Sequence, residues 1–231
     1  MDLSRLALLA NTSIEDLKDA SKVEELIIKL GFNTEILHEQ PQIVKENGGG
    51  LKIWQYPNQF SKYLVYLHSL NPTSYCEIGS RWGGTFALTV EYLRKLGSLE
   101  RAVAIDAFIE TTEEYCKQTH NCIFIKDFSN SDSIKEFMQS NTFDCVLIDG
   151  DHSDPVLSGD YALVKSTTRI IVFHDITNAQ CPDVAALWNK LKVEEAERYT
   201  FTEFIEQYPE VVEATGNTYL GIGVMVRKTL S

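Results

Sequence analysis

The chain has no Cys-x-x-Cys pair, no cluster of basic residues, no apolar run of membrane-spanning length and no internal repeat. Each absence removes a class of function. The cysteines number five (Cys76, Cys116, Cys122, Cys145, Cys181), an odd count without paired spacing, which argues against a disulfide framework and a cysteine zinc site. Cys76 and Cys145 lie inside apolar runs, where a free thiol packs as a small hydrophobe, so a reducing compartment is expected. With 33 acidic against 21 basic residues the formal charge is -12, and a phosphate backbone would be repelled; no nucleic-acid partner is expected. The opening Met-Asp-Leu-Ser-Arg lacks a basic segment followed by a long apolar one, so neither export nor membrane insertion is expected, and a soluble cytoplasmic protein is the reading.

What is present is enough for a core: 231 residues with 44% hydrophobic content fit one α/β domain with some decoration. Residues 1–50 read as short helices. Ser13 with Asp16 and Ser21 with Glu24 have the form of helix caps, Gly31 that of a C-terminal stop, and Val23, Leu26, Ile27 and Leu30 share one helical face. This segment is a cap or lid on the main body, or a dimer contact; a homo-oligomer stays open. Asn47-Gly48-Gly49-Gly50 reads as a flexible joint, and Pro57 as the first turn of a helix through Phe60, Tyr63, Leu64, Leu67 and Leu70.

From Tyr75 onward strands and helices alternate, which predicts a mostly parallel sheet covered on both faces. The expected strands are Tyr75–Ile78, Ala102–Ile105, Cys122–Ile125, Cys145–Ile148 and Ile170–Phe173. A helix over Pro182 to Glu197, a strand near Tyr199 to Ile205, an irregular stretch through Pro209 and a final run over Tyr219–Val226 follow, the last two strands closing one edge as a hairpin. The five strands end at or beside polar residues: Glu77, Asp106, Asp127, Asp149, and His174 with Asp175. In open α/β sheets ligands bind beyond the carboxyl ends of the strands, so these side chains should share a rim.

The stretch Glu77-Ile78-Gly79-Ser80-Arg81-Trp82-Gly83-Gly84-Thr85 is a strand end, a glycine turn and a helix start. Glycines there let backbone approach a ligand, and the helix N-terminus favours an anionic group. The dinucleotide pattern G-x-G-x-x-G would need glycine where Arg81 stands, which disfavours NAD. The pattern E-x-G-x-x-x-G-G-T instead resembles the first motif of class I S-adenosylmethionine (SAM) dependent methyltransferases. That resemblance implies a Rossmann-like seven-stranded fold over 51–231, with SAM against Glu77, Gly79, Ser80, Arg81, Gly83, Thr85 and Asp149. Asp106 is placed for the ribose hydroxyls, and Asp127 and Phe128 for the adenine; surface-turn and plain-loop roles are the alternatives. The Asn/Asp-Pro-Pro-Tyr motif of many base methyltransferases is absent.

Asp149-Gly150-Asp151-His152 and His174-Asp175 crowd carboxylates and histidines at adjacent strand ends, a costly arrangement without a cation or a shared proton. Asp149 and Asp175 suit magnesium, and His174 as a third ligand shifts the preference toward manganese or another transition ion. His152 is the candidate general base. Asp-Gly-x-His after the fourth strand and an acidic position after the fifth resemble the metal-dependent O-methyltransferases of the macrolide sugar and cephamycin branch, and more loosely the catechol-type enzymes. Carried over, Asp149 and Asp175 bind the metal and His152 is the base; His174 stands where that branch has glutamate. The resemblance spans residues 56 to 228. It implies methyl transfer to a hydroxyl of a small molecule or sugar, with a metal-independent methyltransferase and a non-catalytic SAM-binding regulator as alternatives. Asp160 is read as a structural brace, and Arg81 and Trp82 as contacts or shields of the cofactor's amino-acid end.

Overall fold

The structure, a computed structural model, describes residues 1–97, 99–108 and 111–228. Helices α1 (Leu6–Asn11), α2 (Ala20–Leu30), α3 (Gln42–Glu46) and α4 (Pro57–Ser69) precede the first strand. Then come β1 (Ser74–Ile78), α5 (Gly84–Lys95), β2 (Arg101–Ile105), α6 (Thr111–Gln118), β3 (Cys122–Ile125), α7 (Asp132–Ser140) and β4 (Cys145–Ile148). The chain finishes with α8 (Val156–Val164), β5 (Ile170–His174), α9 (Pro182–Glu194), β6 (Tyr199–Phe204), α10 (Pro209–Thr215) and β7 (Ile222–Arg227).

The strands form one seven-stranded sheet in the order β3-β2-β1-β4-β5-β7-β6, parallel except for β7, which runs antiparallel to both β5 and β6. Alternation along the central strands decides the layers, because successive side chains leave opposite faces. Tyr75, Cys145, Leu147, Ile170 and Val172 pack with α4, α5 and α6 in one core. Cys76, Ile78, Val146, Ile148, Ile171 and Phe173 pack with α7, α8 and α9 in another. A strand apolar on both sides is stable only when both faces are covered, as they are here. The order reverses between β1 and β4, and the crevice beyond their carboxyl ends is the expected ligand site.

The N-terminal helices are built into the first core: Leu17, Val23, Ile27, Leu30 and Phe32 pack in the same cluster as Tyr63, Leu64 and Leu88. Three local readings change. Asp19, not Ser21, caps α2, its Oδ1 accepting from the N–H groups of Ser21 and Lys22 at 2.8 and 3.4 Å. The glycine run at 47–50 is pinned, since Gly49 N donates to Phe32 O at 3.0 Å and Asp2 N to Gly50 O at 2.9 Å. The stretch before β7 holds α10, which Pro209 starts and Gly216 ends. Among the described residues no helix is long and apolar enough to cross a membrane.

Candidate active site

The loop after β1 and the loop after β4 touch through their backbones. Gly79 has φ +89°, and a Cβ there would stand 2.0 Å from the carbonyl oxygen of Asp149, so no side chain fits. Gly79 N donates to Ile105 O and Asp149 N to Ile78 O, both at 2.8 Å, which laces the ends of β1, β2 and β4 together. Gly83, at φ +79°, begins α5 and donates to Ser80 O at 2.7 Å. Ser80 Oγ lies 3.2 Å from Thr112 Oγ1, tying the turn to α6.

Over this turn lies a cavity of about 550 Å³, within the size of a small-molecule site. Glu77, Gly79, Ser80, Arg81, Gly83, Thr85, Asp106, Asp127 and Phe128 all line it, as do Asp149, His152, His174 and Asp175. Asp106 accepts the N–H of Arg81 at 2.6 Å and of Phe108 at 2.9 Å. Those bonds hold its carboxylate at the rim. Asp127 accepts from Phe128 N at 2.8 Å and from the hydroxyls of Ser131 and Ser133, so it braces the start of α7 as well as facing the cavity. Phe128 is exposed and meets Phe108 edge to face, ring centroids 5.4 Å apart. Sequence reasoning found Phe128 and missed Phe108, whose only signal was an aromatic two residues past a strand-end acid. Arg81, at φ +42°, holds its guanidinium 4.2 Å from the ring of Trp54 and 4.4 Å from that of Trp82. Asp160 is buried and accepts from Ser129 Oγ at 3.1 Å. It braces the loop after β3, and burial raises its carboxyl to about 6.

Glu77 stands at the cavity floor with 1% of its surface exposed, its Oε2 accepting from Tyr75 OH at 2.5 Å. Burial pushes its carboxyl up to about 8 against the pull of that bond, and the charges of Asp149 and Asp106 push the same way. The charge of His174 pulls its carboxyl the other way without overcoming burial, and no ion pair among the described residues reaches it. A ligand ammonium at the cavity floor would provide one.

A second cluster lines the same cavity. Asp175 adopts φ +62°, and its Oδ1 accepts from Asn178 Nδ2 at 2.9 Å, which leaves Oδ2 toward the histidines. His174 is 4% exposed; its Nδ1 lies 3.1 Å from Asp149 Oδ1 and 3.2 Å from Asp175 Oδ2, yet neither ring nitrogen completes a hydrogen bond. His152 Nε2 is 3.1 Å from Asp149 Oδ1 and 3.5 Å from Asp175 Oδ2, while its Nδ1 is 3.3 Å from the Cys181 thiol. The residues expected to converge do so. Asn178 and Cys181 went unrecognised in the sequence, because only the fold of the loop after β5 brings them here.

Charge governs this cluster. Burial opposes ionisation of Asp149, but the charge of His174 and the bond from His152 hold its carboxyl below the usual range. Burial likewise opposes charge on His152, and the bonds to Asp149 and Cys181 with the two carboxylate charges overcome it, holding the imidazolium up to about 10. With both carboxylates balanced only by histidine, His152 keeps its proton at neutral pH. It can accept one there only if another positive charge takes over that balance. Asp149, His174 and Asp175 offer ligand atoms within 4.8 Å of one another, and the unpartnered nitrogens of His174 fit a metal ligand. His152, Asp175 and Cys181 form a second such group, so a cysteine does stand among the donors although its spacing gave no signal.

Residues 46–212 match the family described as Rhamnosyl O-methyltransferase/CmcI. Curated rhamnosyl O-methyltransferases of Mycobacterium tuberculosis and Mycobacterium bovis are 23% identical over 135 residues, covering 51% of this chain and 55% of theirs. The chain thus spans about half the length of the curated relatives it matches. Among solved structures, the O-methyltransferase from Bacillus cereus in complex with SAH superposes with a TM-score of 0.56 at 12% identity, covering 97% of this chain and 96% of that one. The O-methyltransferase TomG from Streptomyces achromogenes, in complex with SAM, gives 0.54 at 13% identity, covering 99% and 97%. At these identities the structural likeness is one of fold.

Proposed function

The chain belongs to the Rhamnosyl O-methyltransferase/CmcI family, and from that membership and the site geometry we propose that it transfers a methyl group from SAM to a hydroxyl of a sugar or other small molecule. The observation that carries the proposal is the convergence of Asp149, His152, His174 and Asp175 on the wall of a cavity that the Gly79 turn also lines. Residues 51–231 are taken as the transfer domain and 1–50 as its cap.

In this reading Glu77 holds the ammonium of SAM, Asp106 its ribose, and Phe108 and Phe128 flank its base. Asp149, His174 and Asp175 hold a divalent cation, magnesium or manganese. Such an ion would supply acidity and a fixed position to an acceptor hydroxyl. His152 Nε2, which Asp149 faces in the ligand-free structure, takes the hydroxyl proton once Asp149 serves the cation, and Cys181 at Nδ1 steadies the ring. The acceptor oxygen then forms a bond to the methyl carbon as the carbon–sulfur bond breaks, and the sulfur keeps the electron pair. Most of the rate comes from holding the two reactants in line.

The test is methyl transfer from radiolabelled SAM to a panel of glycosides and phenols with added Mg²⁺ or Mn²⁺, then with excess chelator. Transfer that is lost on chelation and restored by the ion is expected. Full turnover under chelation removes the metal from the proposal. SAM binding without transfer to any hydroxyl points to the non-catalytic regulator.

A further inference from the structure

The five cysteines stand in different surroundings. Cys76 and Cys145 are fully buried in β1 and β4, and Cys181 stands beside His152. Cys116 and Cys122 face each other: their sulfurs are 2.9 Å apart, and no bond joins them. The sequence hid this pair, because Cys116 lies near the end of α6, Cys122 opens β3, and five residues separate them.

The fold holds both partners in place. Thr119 N donates to Cys116 O at 3.2 Å, and the turn that follows is tied down by two neighbouring elements. Arg94 of α5 donates to the carbonyls of His120 and Asn121 at 2.5 and 3.4 Å, and Ala102 N of β2 donates to Asn121 O at 3.0 Å. Cys122 then pairs in register with Ala102. Two thiols fixed in contact meet far more often than two on loose segments, and a bond between them asks for little movement of either element. Strand β3 is an edge of the sheet and Cys122 is half-buried, which makes it the more accessible partner, while Cys116 is 6% exposed. Helix α6 also meets the glycine turn: Thr111 Oγ1 donates to Trp82 O at 2.8 Å, and Thr112 Oγ1 is 3.2 Å from Ser80 Oγ. A link at Cys116 therefore fixes the helix that backs this turn.

We propose that Cys116 and Cys122 are a reversible oxidation site that closes to an intramolecular disulfide, with a small-molecule disulfide of the glutathione class as oxidant. The Cys122 thiolate attacks one sulfur of the oxidant, whose S–S bond breaks to release one small thiolate and leave a mixed disulfide on Cys122. Cys116 then loses its proton and attacks the Cys122 sulfur, and the second small thiolate leaves. The protein thiols together give up two electrons and two protons, and the oxidant becomes two thiols. In a reducing compartment the pair stays open, as is usual for cysteines that sense redox state rather than hold a fold.

The experiment incubates the full native chain in glutathione buffers of rising disulfide fraction, blocks free thiols by alkylation and maps tryptic peptides without reduction. Trypsin cuts after Arg101, Lys117 and Lys126, so Cys116 and Cys122 fall on separate peptides, 102–117 and 118–126. The expected result is one linked species of these two peptides, lighter than their sum by two hydrogens and separated again by dithiothreitol. Cys116→Ser should stop at a glutathione adduct on Cys122, which tells a pair from a lone accessible thiol. The oxidised chain should melt about 4–8 °C above the reduced one, as closing a short loop in the unfolded chain predicts. Both thiols alkylated at every buffer ratio, a link from either one to Cys181, or a link that forms only in urea overturns the site, as does an oxidised chain that melts no higher than the reduced one. No SAM enters the measurement, so these outcomes leave the methyl-transfer reading untouched.

Discussion

Replacing Glu77 by glutamine should make the ligand-free protein more stable at neutral pH and worse at binding SAM. Glu77 is buried beside Tyr75 with its carboxyl raised from 4.5 to about 8. Below pH 4.5 the folded and unfolded chains both hold the proton and the residue costs nothing. Between 4.5 and 8 only the unfolded chain releases it, so the native state loses stability as pH rises; above 8 the loss is complete. At pH 7 the difference amounts to about 3 kcal/mol. Glutamine keeps the shape and an acceptor for the Tyr75 hydroxyl but has no proton to lose. Thermal unfolding followed by circular dichroism from pH 4 to 8 should show the two proteins alike at pH 4 and the variant about 6–12 °C higher at pH 7. Calorimetric titration should show SAM binding weakened roughly 10- to 100-fold, the worth of a charge-assisted bond to the ligand ammonium. Midpoints that run parallel across the whole range would refute the reasoning, because they would mean the carboxyl ionises as freely in the fold as in water.

If His152 is the proposed base, His152→Gln should lower kcat by about 10²–10⁴ while leaving S-adenosylhomocysteine affinity within twofold, since a ring in that role moves a proton and holds no part of the donor; an equal fall in affinity would place the residue elsewhere. Manganese should raise the thermal midpoint of the wild type in a fluorescence scan, and Asp175→Asn should abolish the rise, because an ion that binds only the native state stabilises it. Gly79→Ala should destabilise by about 1–3 kcal/mol or more, its Cβ driven against the Asp149 carbonyl at a positive φ, and should abolish SAH binding by calorimetry; a variant with wild-type midpoint and affinity would contradict the contact.

The sheet was legible because its signals are local. Cys122–Ile125 and Cys145–Ile148 are short apolar runs with a turn or an acid at each end, and the structure places the strands on those residues. The same holds for the rim: an acid that ends a buried strand in a parallel sheet has one place to go. Caps were harder, because Asp19 and Ser21 both carry a short oxygen-bearing side chain at the right distance from the first free N–H groups. The glycine run at 47–50 read as a joint because glycine freedom is visible in sequence and the Phe32 carbonyl that pins it is not. Pro209 and Gly216 do mark α10, and that signal was passed over. The pairings of His152 with Cys181, Asp175 with Asn178 and Phe108 with Phe128 exist only once the loops are folded.

The placement of the indoles also has a practical side. The chain has three tryptophans; Trp188 is buried, while Trp54 and Trp82 stand 4.9 Å apart on the cavity wall beside the Arg81 guanidinium. One of that pair belongs to the glycine turn after β1, the other to the segment that leads into α4. Their emission is thus a built-in optical signal from the cavity wall, readable without any dye or label.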